Sequence, residues 1–201
     1  MVIEKKIKTK SFSNVIGFDD CPFLRSHRGD VKIVGTVYAG LRFDGLLTGH
    51  IRRDGANSAK VIGELISTSK FIEHIQLIML QGIAFGGFNV VDVDYIRKCL
   101  NIPVLVVARH QPDMEAIHYA LLNKVKGGLR KWSLIEKLGH MESLGNVFVQ
   151  RSGLTLDEAT ETIRKFAIYG HIPEPLRTAH LIASGINDSK KGSPKYSILP
   201  I

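Results

Sequence analysis

Hydrophobic and polar positions alternate with period two through VKIVGTVYAGLRF (31–43), placing Val34, Thr36 and Tyr38 on one face and Ile33, Gly35 and Val37 on the other. That period belongs to a half-buried strand. A short apolar run, 15–18, precedes it and ends in two adjacent acids, Asp19 and Asp20. Asp44-Gly45 followed by LLTGHIRR predicts a hairpin turn and a returning strand. The chain therefore opens as an antiparallel meander of three strands. The period then lengthens: Val61, Ile62, Leu65 and Ile66 lie at helical spacing within 58–69. IQLIML (75–80) and PVLVVA (103–108) are unbroken apolar runs, as expected of strands covered on both faces. Between them, GIAFGGFNVVDVDYIRKCL turns through glycines into a helix carrying Val90, Val91, Ile96 and Leu100. Pro112, Asp113 and Glu115 open another helix, with Met114, Ile117, Leu121 and Leu122 inward and Gly127-Gly128 as its end. A short helix at 134–138 stops at Gly139, and NVFVQ (146–150) is a last strand. Thr155 and Glu158 form a T-x-x-E capping box, and Pro175 opens a final helix closed by Gly185.

This order, three strands and then strands alternating with helices, predicts an α/β fold. Its mixed sheet joins the antiparallel meander to parallel strands, with helices on both faces. One domain over 1–186 and a polar, basic, mobile tail over 187–201 account for the whole length.

Composition adds one feature. The 201 residues carry 27 Lys and Arg against 19 Asp and Glu, a net charge of +8. An excess of that sign favours polyanionic partners, with nucleic acid foremost. No apolar run approaches the ~20 residues of a membrane helix, and the lysine-rich start lacks a signal-peptide core, so a cytoplasmic protein without membrane contact is expected. The two cysteines, Cys21 and Cys99, stand far apart and outside any metal-ligand spacing, which suits a reducing compartment.

Candidate chemistry gathers where such sheets keep it, at the carboxyl ends of strands. Asp19 and Asp20 end the first strand, Arg53 and Asp54 the third, and Gln81 the fourth. Converging there, carboxylates would hold Mg²⁺ or Mn²⁺, hard cations that take oxygen ligands and activate water for phosphodiester cleavage. Arg25, His27 and Arg28 follow the acid pair, and Arg52 joins Arg53; these cations suit phosphate contact. Taken singly, Asp20 and Asp54 also fit plain turn residues, and His180, between apolar neighbours, fits a packing residue.

GFDDCPF resembles the Asp-Asp-x-Pro-Phe opening of a mostly archaeal family catalogued as domain of unknown function ninety-nine. QGIAFGGFNVVDVDYI, IPVLVVAR and IPEPLRTAHLIASGI resemble its other blocks, in order and at similar spacing. That family is similar, more distantly, to endonuclease V, a ribonuclease H-like nuclease that uses Mg²⁺ to cut DNA or RNA near deaminated bases such as inosine. The resemblance implies a ribonuclease H-like sheet, a catalytic and metal-bridging role for Asp19, metal ligation by Asp20 and Asp54, and a catalytic part for His180 in PEPLRTAH. Arg25, Arg28, Arg53 and Gln81 would then face substrate. Three departures accompany it. Gln81 stands where endonuclease V has a third acid, Asn57 stands where an acid is expected, and the Tyr-Ile-Pro-Gly wedge has no counterpart. Three readings follow: a metal-dependent nuclease or phosphodiesterase with an altered site, a non-catalytic nucleic-acid-binding protein on the same scaffold, and an interaction module whose positive charge is incidental.

Overall fold

The computed structural model describes residues 10–188, with side chains described through 186. All but the first two residues of the expected 187–201 tail lie outside the described residues. Seven strands form one sheet: β1 (Asn14–Asp20), β2 (Asp30–Ala39), β3 (Arg42–Arg52), β4 (Leu77–Gln81), β7 (Val104–Ala108), β8 (Glu142–Leu144) and β9 (Val147–Ser152), in the order β3-β2-β1-β4-β7-β9-β8. A separate two-stranded hairpin, β5 (Ala84–Phe85) and β6 (Asn89–Val90), follows β4. β1 runs antiparallel to β2, and β2 to β3; β1, β4 and β7 run parallel; β9 returns antiparallel to β7 and pairs with β8. The expected mixed α/β sheet is present, with the parallel strands at its centre.

Strand alternation sorts two cores. On one face, Ile16, Phe18, Ile33, Ile78, Leu80, Val104 and Val106 pack with α1 (Ser58–Ser67) and α2 (Val93–Leu100) through Ile62, Ile66 and Ile96. On the other, Val15, Leu77, Met79, Leu105, Val107, Val147 and Val149 pack with α5 (Leu156–Phe166) and α6 (Glu174–Asp188) through Ala159, Phe166 and Leu176. A smaller cluster joins the β5–β6 hairpin to α3 (Met114–Lys124) and α4 (Gly128–Leu138) through Val90, Leu121 and Ile135.

Caps follow the sequence closely. Asp113 accepts the Ala116 N–H at the start of α3, and Thr155 and Glu158 form both bonds of the capping box on α5. Several boundaries move. The β2–β3 turn falls at Gly40-Leu41 instead of Asp44-Gly45, because Gly40 takes φ +61° and a bulge at Val37/Tyr38 absorbs the offset. Gly45 instead lies inside β3, opposite Val37. Val90 belongs to β6, and α2 begins three residues later, where Asp92 caps it by accepting the Tyr95 N–H. Gly127 starts a helix: it is the N-cap of α4, which covers eleven residues where a short helix at 134–138 is expected. α6 runs through Gly185.

The contact that positions the site is the seat of α6. A Cβ on Gly17, in the middle of β1, would stand 2.6 Å from the Pro175 carbonyl carbon and 2.9 Å from the Leu176 nitrogen. Only a residue without a side chain lets the helix start lie so close. The Thr36 hydroxyl donates to the Pro175 carbonyl (2.6 Å), and the Tyr38 and Thr178 hydroxyls meet at 2.8 Å. Gly17→Ala is expected to destabilise the protein by about 1–3 kcal/mol, the range for overpacking a close-packed core. Urea unfolding checks this, and an unchanged midpoint would show that the helix rides over β1 without needing the gap.

Candidate functional site

Asp19 and Asp20 are neighbours on β1, so their side chains point to opposite faces of the sheet. Asp19 is on the α6 face, 5% exposed. Its Oδ1 accepts the Asp20 N–H (2.9 Å), and its Oδ2 accepts from His180 Nδ1 (2.8 Å). That bond favours the imidazolium and raises the His180 pKa; burial and the nearby Arg109 charge work against it. Asp20 is on the other face, where its Oδ2 accepts the Gly86 N–H (2.7 Å). Burial, then the Asp19 charge, push the Asp20 carboxyl from 3.8 to about 6, although the Gly86 N–H and His180 pull it back.

Gln81 ends β4. Phe18 pairs with Leu80, so the next step along the two parallel strands sets Asp19 beside Gln81. The Gln81 Oε1 is buried and accepts no hydrogen bond. Buried polar atoms are rarely left so.

Asp54 follows β3 at φ +50°. Its Oδ1 accepts the Phe88 N–H (2.8 Å), its N–H donates to the Gly86 carbonyl (2.9 Å), and its carbonyl accepts from Lys131 Nζ (2.5 Å). Gly86 is thus gripped from both sides, by Asp20 and by Asp54. The two acids meet on one loop through backbone, while the Asp54 carboxylate stays engaged there. Among the described residues, no three His, Cys, Asp or Glu side chains are grouped as a metal cluster.

The expected phosphate-facing cations divide. Arg53 is turned inward: Nη1 donates to the carbonyls of Arg25 (2.7 Å) and His27, and the guanidinium lies 5.5 Å from the Phe23 ring centre. Its Nε stands 3.2 Å from Asp54 Oδ2, an ionic contact without hydrogen-bond alignment. Arg53 therefore fixes the 21–29 loop. Arg25, Arg28 and Arg52 are exposed. Asn57, at a position where an acid was expected, accepts from the Arg52 N–H (3.0 Å) and from Asn89 Nδ2 (2.9 Å), tying the β3 end to β6.

Sequence reading passed over two cations. Arg109 is exposed and directly follows β7, close enough to act on His180. Its signal was legible, since it is the first residue after a central strand. Lys131 is 4% exposed on α4, and burial lowers its pKa; a lysine inside an underestimated helix gave no sign of burial.

The central strand β1 ends in two acids, its parallel neighbour β4 in an amide, and a late helix brings in a histidine; solved structures share the fold that carries them. The fold is similar to that of Ciona intestinalis endonuclease V in complex with a DNA containing an inosine (TM-score 0.56, 15% identity, covering 89% of this chain and 86% of that one). It is also similar to human endonuclease V (TM-score 0.56, 15% identity, 90% and 87%). A protein of unknown function from Archaeoglobus fulgidus is nearer (TM-score 0.81, 34% identity, 87% and 98%). The Endonuclease dU family model matches residues 11–187, and the chain belongs to that family. Among its relatives are UPF0215 proteins of Deinococcus radiodurans (51% identity over 174 residues, 87% of this chain and 89% of that one) and of Methanothermobacter thermautotrophicus (40% over 181 residues, 88% and 89%).

The raised Asp20 pKa carries a signed consequence. A carboxyl whose folded value exceeds its unfolded one holds its proton more tightly when folded. Its contribution is therefore full below about 4 and is lost as pH rises through about 6. Asp20→Asn removes that loss. In EDTA, the variant is expected to gain roughly 2–3 kcal/mol on wild type between pH 4 and pH 7, at ~1.4 kcal/mol per pKa unit. Urea unfolding at the two pH values reads the difference; a constant gap would mean that Asp20 titrates normally.

Proposed function

We propose that the protein is a Mg²⁺- or Mn²⁺-dependent endonuclease that cuts nucleic acid beside deaminated bases, deoxyuridine among them. The observation that carries this reading is the Asp19–His180 pair set beside the unpartnered Gln81 oxygen at the end of the central parallel strands. Two oxygen donors stand side by side there, one anionic and one neutral, with Asp20 reaching the opposite face of the same strand end. A hard cation takes such donors, and Mg²⁺ keeps several waters when one or two carboxylates hold it. The set suits one hydrated ion better than a pair, since the third acid is absent. Asp19 would hold the ion, with Gln81 Oε1 as the neighbouring donor on the same face. When bound, the ion supplies an activated water and charge stabilisation on the phosphate.

The protein's own groups divide the remaining work. His180, held through Nδ1 by Asp19, keeps Nε2 for a water or phosphate oxygen. Arg109, Arg25 and Arg28 supply exposed positive charge along the same edge for the polyanion. Asp54 and Arg53 hold the flanking loops in shape. The DNA in the Ciona complex, the family description and the +8 net charge all point the same way.

End-labelled strands carrying deoxyuridine, inosine or only ordinary bases, incubated with Mg²⁺ or Mn²⁺, test the reading. Cutting of the deaminated strands is expected, and Asp19→Asn should lower it by a factor on the order of 10² or more, the scale of losing one electrostatic group from a site. Salt-sensitive binding without any cutting would overturn the enzyme reading and leave a binding protein. A second expectation concerns Gln81→Asp. Restoring an acid beside Asp19 should enlarge the rise in melting temperature that Mn²⁺ produces, because an ion bound only by the folded state stabilises it. An equal rise in wild type and variant would place the ion away from Gln81.

A further inference from the structure

A cavity of about 310 Å³ opens between the starts of two helices, α1 and α4, with the loop after β3 and the turn before α2 as its other walls. Three cations line it, Lys126, Arg130 and Lys131, against two carboxylates, Asp54 and Asp92. Both carboxylates are already engaged. Asp54 Oδ1 accepts the Phe88 N–H (2.8 Å), and its Oδ2 stands 3.2 Å from Arg53 Nε. Asp92 Oδ1 accepts the Tyr95 N–H (2.9 Å) at the cap of α2. The charge left over in the cavity is positive.

Lys131 shows the demand most clearly. It is 4% exposed. Its ammonium has three protons to donate, and the Asp54 carbonyl takes one (2.5 Å). A carbonyl brings no charge to offset the ammonium. Burial works against that charge, and among the described residues the Asp54 carboxylate acts on it only from beyond ion-pair distance. Buried charges are otherwise paired, so a lysine placed this way favours an incoming anion. The helix starts act in the same direction. α4 opens at Gly127, with φ +73° and no side chain to cap with. α1 opens at Asn57, whose amide oxygen is occupied by the Arg52 N–H and Asn89 Nδ2. Neither cap residue bonds its own first turn, and neither first turn holds an acid. First-turn N–H groups and the positive end of the helix dipole suit an anion.

The proposed cutting site is close. The Asp54 N–H donates to the Gly86 carbonyl, and the Gly86 N–H donates to Asp20 at the end of β1. The cavity thus adjoins, across the loop of the β5–β6 hairpin, the strand end that carries Asp19. We infer that it is a phosphate-binding site, in which Lys131, Arg130 and Lys126 hold one phosphate of the bound strand away from the bond that is cut. The strand as the source of that phosphate rests on the function proposed above; the site itself rests on the cavity.

Short labelled deoxyuridine strands, each with one phosphate replaced by a neutral methylphosphonate, map the contact. Fluorescence anisotropy reads binding, with Ca²⁺ in place of Mg²⁺ to limit cutting. At one linkage the neutral group is expected to weaken wild-type binding about tenfold, the scale of one charge-assisted hydrogen bond. Lys131→Met should bind the unmodified strand about tenfold more weakly and lose nothing further at that linkage. Arg130→Gln should show the same coupling to a smaller degree; its side chain is exposed, so it keeps the test open if Lys131→Met does not fold. A second arm uses inorganic phosphate alone against chloride at equal ionic strength. Phosphate should raise the melting temperature of wild type more than that of either variant. Coupling at one linkage supports the site and identifies the strand as its source. A melting shift that the variants lose, with no coupled linkage, supports the site with free phosphate as its ligand. Equal losses at every linkage together with equal melting shifts overturn the inference and leave the nuclease reading standing. Failure of wild type to bind any strand overturns the nuclease reading, and the phosphate arm then decides the site alone.

Discussion

The start of α6 lies directly on the backbone of β1, in the gap left by Gly17, and the rest of the site hangs from that contact. Thr36 and Tyr38 on the neighbouring strand hold the helix by its Pro175 carbonyl and its Thr178 hydroxyl. From Pro175 to His180 is a little more than one helical turn. The seat therefore fixes where the imidazole arrives, and it arrives on Asp19. Without it, Asp19 would be a nearly buried carboxylate with a single backbone N–H as partner, a costly arrangement. A steric allowance at one glycine thus lets the strand carry its buried acid.

Asp20 is stabilised by different means. Strand alternation sends it to the other face, where no cation among the described residues reaches it at salt-bridge distance and the Gly86 N–H is its support. Asp54 closes the same loop from its far side and is itself tied to Phe88, Arg53 and Lys131. The adjacent acids are therefore anchored by separate layers of the protein, α6 on one side and the β5–β6 hairpin on the other. What looks in sequence like a like-charged pair needing one shared cation is resolved by geometry, through one histidine and one backbone amide.

The central strands, the helices with explicit caps and the mixed sheet were legible because each is written in local periodicity or in a cap pair such as Thr155 and Glu158. The errors fall where tertiary packing outranks local chemistry. Asp44-Gly45 is a strong turn signature, yet the turn sits at Gly40, since the bulge at Val37 sets the register of β2 against β3. Gly127 marks a helix start because α4 packs against α3 behind it, a contact sequence cannot announce. For the site, position along the strand ends was readable: Asp19, Gln81 and His180 come together there, while Asp20 turns to the opposite face. The direction of each side chain was less readable. Arg53 and Asp54 face into loop backbone, where their charges order the chain, and no spacing rule separates such an arginine from one that faces solvent.

Gln81 is the position where these threads meet. A third carboxylate beside Asp19 would add its charge to a pocket whose acids already include one with a pKa pushed up to about 6, and it would need a further cation to offset it. An amide oxygen provides a donor at the same place without that charge. The folded state then tolerates its own buried acids with one histidine, while the unpartnered Oε1 keeps a standing demand for a hydrogen-bond donor or a cation. On the reading proposed here, the amide exchanges ion affinity for independence from it: the fold can form before any ion arrives, and an ion, once held by Asp19, answers the orphaned oxygen. A site of that kind gives up its metal as pH falls, since a proton and the ion compete for the charge of the carboxylate that holds it.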